Sequence, residues 1–237
     1  MRKKLLVALS IVVVLAIAVV VAFKTIWAGD APEEVSLSTS EPVATGDIEF
    51  AGTWTVDNTS GEFDRVNEVY TRSYAGYRIN EQLANVGANT AVGRTDGVSG
   101  TMTVAETSIT GVEVEVDMTT LESDQERRDG AIQRRGLETE RFPTATFKLA
   151  EPIAVGQEPE AGEKITADAT GDFTLHGVTK RITVPIEARW TGDKITVISG
   201  FDVSLPDYSI EAPTIPGRVL SIEDQGKVEL QLNFVKS

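Results

Sequence analysis

The chain contains one histidine, His176, and any serine–histidine–aspartate chemistry would have to use it. Such catalysis needs the imidazole beside an activated serine, which in many hydrolases stands in a Gly-x-Ser-x-Gly turn. The residues around His176, from Gly171 to Lys180, read Gly-Asp-Phe-Thr-Leu-His-Gly-Val-Thr-Lys and offer no such pattern. A structural role for His176, such as a hydrogen bond at the end of a strand, is therefore favoured over general-base catalysis.

Metal-dependent chemistry has few candidate ligands. With one histidine and no cysteine, the chain cannot build the usual ligand set of zinc. Glu113, Glu115 and Asp117 could offer oxygen ligands to calcium, but carboxylates that alternate along a strand usually form its solvated face. Paired carboxylates in an apolar cavity could act as acid and base, yet the sequence supplies no clear inward-facing pair. We therefore predict no catalytic residue, no metal and no cofactor.

Four arginines form the only notable basic group outside the N-terminus, between Ser123 and Gly136. They are Arg127, Arg128, Arg134 and Arg135. On a short helix they would pair with nearby carboxylates, and each exposed pair would contribute less than about 1 kcal/mol. Those carboxylates are Asp124, Glu126, Asp129 and Glu138. Alternatively, a guanidinium at a cavity mouth would contact the polar or phosphate head of a ligand. The same alternatives apply to Arg78, next to Tyr77.

The elements that position these residues are predicted to be strands. Small and apolar residues alternate with polar ones from Gly171 to Leu175, a turn follows at His176-Gly177, and alternation resumes over residues 181–190. Period-2 alternation around a glycine turn indicates an antiparallel hairpin with one buried face. Similar alternation occurs over residues 53–57, 77–79, 100–105, 112–118, 145–149, 195–203 and 228–234.

About eight or nine strands with one apolar face predict an all-β protein, an extended antiparallel barrel that is closed or nearly closed. The stretch Ser123-Asp124-Gln125-Glu126 matches a helix-capping box, and Gly136 can end a helix. We expect a short helix there, lying across a barrel mouth. The inward aromatic residues could either fill the barrel or line a tunnel, because the alternation is identical in both cases.

The N-terminus predicts a membrane anchor. Three basic residues at positions 2–4 precede an apolar run over residues 5–23 that is interrupted only by Ser10. As a helix this run would be about 28 Å long, close to the hydrocarbon thickness of a bilayer. The basic tip should stay in the cytoplasm, which places the rest outside. We expect residues 1–28 to form an uncleaved single-pass anchor in the cell membrane, with signal-peptide cleavage after Ala28 as the alternative.

The remainder divides into a linker and a domain. Residues 29–50 are acidic, contain proline and serine, and lack periodicity, which is typical of a flexible linker. Residues 51–237 form the predicted extracytoplasmic barrel. A formal charge of −14 argues against nucleic acid as a partner, since nucleic-acid binding needs a clustered basic surface.

Seven motifs in this order and spacing resemble the YceI-like, polyisoprenoid-binding family over residues 53–234. They are Trp54-Thr55-Val56-Asp57 with Ser60, Ala75-Gly76-Tyr77-Arg78-Ile79, Asn89 to Thr95, Arg128-Asp129, Phe142 to Phe147, the His176 hairpin and Asp207 to Pro213. The resemblance implies a lipocalin-like barrel whose apolar interior holds an isoprenoid or similar amphiphilic chain, and no established catalytic activity. Two features depart from the family: Arg78 occupies a strand where many members carry a histidine, and residues 61–73 lengthen the first connection.

We therefore expect a membrane-tethered extracytoplasmic protein, not an enzyme, that sequesters or carries such a lipid. Related barrels can pair, so the resemblance leaves room for a homodimer. The residues predicted to contact the ligand are Trp54, Tyr77, Arg78, Ile79, Val114, Val116, Phe147, Phe173, Leu175, His176, Trp190 and Phe201. The alternatives are a ligand-free structural or interaction module at the cell surface and, less favoured, a carboxylate-dependent enzyme acting on amphiphiles.

Overall fold

A computed structural model of the chain describes residues 31–38, 43–44, 49–84, 86–156 and 159–237. Residues 1–28, for which a membrane anchor is predicted, lie outside these ranges. Within them, no helix is both long enough and apolar enough to span a membrane.

The described residues are mostly in β-strands, numbered here in chain order. They are β1 (Gly52–Val56), β2 (Phe63–Asp64), β3 (Val69–Tyr70), β4 (Tyr74–Leu83), β5 (Gly87–Thr95), β6 (Val98–Ala105), β7 (Ser108–Asp117), β8 (Glu122–Ser123), β9 (Thr144–Leu149), β10 (Ile153–Ala154), β11 (Lys164–Leu175), β12 (Val178–Trp190), β13 (Lys194–Ser204) and β14 (Val219–Lys236). The helical elements are α1 (Glu126–Ala131), the π-helical turn Ile132–Gly136, and the 3-10 turns Met118–Thr120 and Leu205–Tyr208.

Eight strands close into an antiparallel barrel, which confirms the predicted fold class for the domain. The order around the barrel is β1-β6-β7-β9-β11-β12-β13-β14, and β14 pairs back with β1. The strand pairing that closes the barrel is short, since only Trp54, Thr55 and Val56 of β1 pair with the end of β14. The main cluster of buried apolar side chains lies next to this seam, where Trp54 and Phe234 are almost fully buried.

The sheet also extends beyond the eight barrel strands along β14. Ahead of its pairing with β1, the same edge of β14 pairs with β4, which continues to β5 and β8. From β7 to β9 the chain passes through β8, α1 and the π-helical turn. This connection contains a short helix, as predicted, and Leu121, Ile132 and Leu137 on either side of the helix line the cavity of the barrel.

The hairpin between β11 and β12 forms as predicted, and its turn depends on backbone conformation. His176 and Gly177 both have positive φ, at 51° and 73°, as a two-residue type I′ turn requires. A Cβ atom on Gly177 would lie 2.5 Å from Cε1 of Phe142. Position 177 therefore favours glycine for two reasons, the left-handed backbone and the close approach of a ring.

A comparison of Gly177→Ala with Gly217→Ala should separate the cost of the left-handed backbone from the cost of the contact with Phe142. Gly217 has nearly the same φ, 75°, but its Cβ would meet nothing within 4 Å. We expect Gly217→Ala to lower the free energy of unfolding by about 1 kcal/mol through backbone strain alone. Gly177→Ala should lower it by about 2–3 kcal/mol, since Phe142 must also move. Equal losses for the two variants in denaturant titrations would show that the contact with Phe142 has no energetic role.

The outer face of β4, β5 and β14 is also covered. The hairpin of β2 and β3 lies over it, with the Arg94 guanidinium 4.1 Å from the centre of the Tyr70 ring. Residues 31–38 and 43–44 contain no helix or strand, and they contact the barrel from outside. The Pro32 carbonyl accepts a hydrogen bond of 2.6 Å from Arg78, and the Ala44 amide donates one of 2.8 Å to the Thr191 carbonyl.

Candidate functional site

The barrel encloses a continuous apolar cavity, and this cavity is the candidate functional site. The volume of the cavity is about 260 Å³. Its wall follows the predicted alternation closely. Along β11, for example, Ile165, Ala167, Ala169, Phe173 and Leu175 face the cavity, while the Thr and Asp residues that alternate with them lie on the opposite face. No Asp or Glu of the described residues lines the wall.

Aromatic clusters mark the two ends of the cavity. At the end near the β1 seam, the rings of Phe50 and Trp190 lie 5.4 Å apart, and both residues line the cavity. Towards the other end, Phe173 packs edge-on against Phe201, with ring centres 5.6 Å apart, and against Tyr208 at 5.5 Å. Between the clusters the wall is aliphatic, so a guest chain there would contact almost only carbon.

Ten of the twelve residues predicted to contact a ligand lie on this wall. They are Tyr77, Arg78, Ile79, Val114, Val116, Phe147, Phe173, Leu175, Trp190 and Phe201. The structure brings them together from β4, β7, β9, β11, β12 and β13, although they are spread over 125 positions of the sequence. Ligand contact itself stays a prediction for all ten.

Trp54 does not reach the wall. Its side chain is fully buried, and its indole Nε1 donates a 2.9 Å hydrogen bond to the Phe50 carbonyl. Phe50, which the sequence analysis assigns to the linker, lines the cavity instead. Trp54 therefore supports the wall from behind.

His176 also lies off the wall, and its contacts are structural. Its Nδ1 is 3.0 Å from the Tyr208 carbonyl, and its Nε2 is 3.3 Å from a carboxylate oxygen of Glu138. The Phe142 ring packs on it with centres 4.4 Å apart. His176 thus joins the β11–β12 turn to the segments before β9 and after β13, as expected for hydrogen bonding at a strand end.

Arg78 contributes to the wall, but its guanidinium points the other way. Its Nε donates to Glu229 at 3.1 Å, and its Nη2 donates to the Pro32 carbonyl on the outer face. Arg94 also approaches Glu229, at 3.5 Å. Glu229 is 1% exposed. Sequence reasoning missed this buried ion cluster, because outward positions on a strand are normally solvated and periodicity does not reveal a covering layer.

Of the four clustered arginines, only Arg128 is buried. It forms ion pairs with Glu81, at 2.6 Å, and with Asp124, so one of the predicted helix pairings is present. The other three, Arg127, Arg134 and Arg135, are exposed. Glu81, which is 4% exposed, is the partner that the sequence did not indicate.

The predicted capping box is wrong. The residue before α1 is Gln125, and its side chain makes no cap. Ser123 instead donates two hydrogen bonds to Asp129, from its amide at 2.9 Å and from its hydroxyl at 2.6 Å. The physical reason is that Ser123 lies in β8, paired with Gly93, so its backbone is too far extended to begin the helix.

The carboxylates of β7 form a solvated face. Glu113 pairs with Lys148 of β9 at 2.5 Å, and both side chains are largely exposed. No group of three or more His, Asp or Glu side chains in the described part of the chain is arranged to hold a metal ion.

Comparison with known proteins agrees with this architecture. The YceI-like domain model matches residues 54–234. A UPF0312 protein of Vibrio parahaemolyticus is 30% identical over 141 residues, which cover 56% of this chain and 71% of the relative. A UPF0312 protein of Pseudomonas putida is 27% identical over 119 residues, 47% of this chain and 58% of the relative.

Two solved structures share the fold. A polyisoprenoid-binding domain from Saccharophagus degradans, implicated in plant cell wall breakdown, superimposes with a TM-score of 0.53 at 18% identity, covering 70% of this chain and 98% of that one. BcnA of Burkholderia cenocepacia gives a TM-score of 0.51 at 14% identity, covering 73% and 99%.

Proposed function

The chain belongs to the YceI-like domain family, and on that premise we propose that its barrel binds an isoprenoid or similar long apolar chain. The observation that carries this proposal is the continuous apolar cavity. It extends along β11 from Ile165 to Leu175, about 33 Å of strand at 3.3 Å per residue. With the usual barrel tilt this corresponds to about 25 Å along the axis.

The driving force would be transfer of the chain out of water. Each buried methylene contributes roughly 0.8 kcal/mol, so a chain of several isoprene units would be held firmly without covalent chemistry. The wall offers such a chain apolar contact over its whole length. The fold shared with the Saccharophagus degradans polyisoprenoid-binding domain supports the same assignment.

We further propose that the protein acts by binding rather than by catalysis. Acid–base chemistry on an amphiphile would need carboxylates in the cavity with raised pKa values. The described wall has none, and the single histidine makes structural contacts. A carrier or sequestering role requires only the apolar wall and a way in and out.

The membrane anchor and the extracytoplasmic location are part of the same proposal. They are supported by the basic tip and by the apolar run over residues 5–23. Because Pro32, Glu33 and Glu34 contact the barrel, an anchor that ends at residue 28 would be joined to it by only three residues, 29–31. At roughly 3.5 Å each they span about 10 Å, so the barrel would lie close to the bilayer and could exchange lipid with it.

The test is to purify the full chain, extract it with organic solvent and identify the extracted lipids by mass spectrometry. Ala167→Phe, which narrows the cavity, is the matched control, because adventitious membrane lipids should accompany both proteins equally. We expect one long-chain lipid class to be enriched in the parent protein and depleted in the variant. Identical extracts, together with no uptake of added polyprenyl lipid, would instead support the ligand-free module. Native mass spectrometry of the same samples would report whether two copies pair.

A further inference from the structure

The hairpin of β11 and β12 is attached to the rest of the barrel by short stretches of strand pairing. Its own two strands pair along their whole length, Lys164–Leu175 with Val178–Arg189. On one side, β11 pairs with β9 over Gly171–Thr174, and on the other, β12 pairs with β13 over Glu187–Trp190. Elements with few backbone hydrogen bonds to their neighbours open at low cost in free energy. The hairpin is therefore a firmly paired unit with two weak attachments.

The wall between β12 and β13 is split where their pairing ends. No backbone hydrogen bond of the described chain joins residues 178–186 of β12 to residues 199–204 of β13. A side chain bridges the split instead, since the Ser199 hydroxyl donates a 2.7 Å hydrogen bond to the Pro185 carbonyl. Proline has no backbone N–H to donate and lies in sheets mainly at unpaired edges. Pro185 therefore suits a strand that has lost its neighbour.

The cavity lies directly behind this split. Residues of both strands beside the split line it, namely Val184, Ile186, Ser199, Phe201 and Val203. Ile182 of β12 and Phe201 of β13 are half-buried and pack against the same buried cluster of Ile153, Ala169 and Val184. Apolar side chains, rather than strand pairing, thus close the wall here. A passing apolar chain would replace these contacts with similar ones.

Contacts to the 3-10 turn after β13 bridge the far end of the split. The Lys180 Nζ lies 3.2 Å from a carboxylate oxygen of Asp207, and both side chains are at least one-third exposed. The Nδ1 of His176, in the turn of the hairpin, is 3.0 Å from the Tyr208 carbonyl. An ion pair that water reaches contributes little to stability. This end of the split can therefore part without the loss of any strand pairing.

The opposite side of the hairpin is closed more completely. Where β11 separates from β9, the amides of Ala150 and Glu151 still donate to the Thr170 carbonyl, at 2.9 and 3.3 Å. Ile153 of β10 is 7% exposed and packs with Ala169 of β11. Of the two sides, the one facing β13 is therefore the easier to open.

We propose that the split between β12 and β13 is a lateral gate, through which the ligand enters and leaves the cavity as the β11–β12 hairpin moves outward. This rests on the proposed function, since a gate matters only if the cavity exchanges a chain. Opening requires the Ser199 hydrogen bond and the contacts of Lys180 and His176 to break, while every strand of the barrel stays paired on its other side. A long chain can then leave sideways instead of being drawn end-on through the barrel.

A cross-link over the split tests the gate on the full-length protein, because the chain contains no cysteine of its own. Thr183→Cys and Asp202→Cys place one thiol on each strand, at exposed positions that alternate with the cavity-lining ones. The protein is loaded with the fluorescent anthraniloyl ester of geranylgeraniol, and a short bifunctional thiol reagent then joins the two strands. We expect release of the probe into phosphatidylcholine vesicles to slow at least tenfold, relative to the same variant treated with a monofunctional reagent.

Thr174→Cys combined with Thr179→Cys is the matched control. These residues pair directly across β11 and β12, with their hydroxyl oxygens 2.8 Å apart, so a cross-link there leaves the split free and should not alter release. The gate is refuted if the cross-link over the split leaves release equally fast, or if both cross-links slow it alike. If the unmodified protein takes up no probe, the proposed function fails instead, so the two failures are distinguishable.

Discussion

Ala167→Phe is expected to leave the domain folded and to lower its affinity for a long-chain lipid about 100-fold. Ala167 faces the cavity from β11 but is only half-buried, so open space lies in front of its methyl group. A phenyl ring there would occupy part of the path of the chain. Losing contact with three or four methylenes, at roughly 0.8 kcal/mol each, corresponds to about 100-fold in affinity. Titration with a fluorescent polyprenyl analogue would measure the loss.

Ala169→Phe provides the contrast, since Ala169 lies two residues further along the same face but is 4% exposed. It packs with Ile153 and Val184, and a larger side chain should lower the free energy of unfolding by about 1–3 kcal/mol. A hollow barrel therefore predicts opposite behaviour at two alanines of one strand. If Ala167→Phe proved as destabilising as Ala169→Phe, the barrel would be filled rather than hollow.

Glu229→Gln should cause the largest loss of stability of any single change discussed here, about 3–5 kcal/mol. The carboxylate is almost fully buried between two arginines, Arg78 at 3.1 Å and Arg94 at 3.5 Å. Removing the charge of one partner from a buried cluster leaves the others uncompensated, which costs about 3–5 kcal/mol. For a domain of this size, this corresponds to a fall in melting temperature of roughly 6–20 °C. Differential scanning calorimetry would measure the shift.

Glu113→Gln is the matched control for Glu229→Gln. Glu113 also pairs with a cation across neighbouring strands, at 2.5 Å from Lys148, but its side chain is largely exposed. Exposed pairs contribute little, because both charges remain solvated, so its melting temperature should equal that of the parent. Equal behaviour of the two variants would mean that water reaches Glu229 and that residues 31–38 and the β2–β3 hairpin do not seal the outer face.

Much of the fold and of the cavity wall could be predicted from local pattern alone. Alternation along β7, β9, β11, β12, β13 and β14 identified the strands and their inward faces, since the side-chain period of a strand is two whatever the surroundings. The turn at His176-Gly177 was predictable for a similar reason, because glycine readily adopts a positive φ. These signals also identified ten of the wall residues.

The polar residues were predicted less completely, because their surroundings depend on contacts with segments that are distant in the sequence. Arg78 was considered for an inner strand beside Tyr77, yet consecutive residues of a strand face opposite sides, and its guanidinium meets Glu229 outside. The capping box failed because pairing with β5 holds Ser123 in a strand. Glu81 and Glu229 resemble solvated carboxylates in sequence, and only the covering segments bury them.

The sequence by itself therefore determined most of the strands, their inward alternation and the barrel architecture, since these follow from the geometry of the backbone and the separation of apolar from polar side chains. Only the tertiary structure decided that the barrel is hollow. A cavity depends on the distance between opposite walls, and the alternation of apolar and polar residues along a strand is the same whether the barrel is filled or hollow. It likewise decided that Glu229 is a buried acceptor, since burial depends on segments distant in the chain.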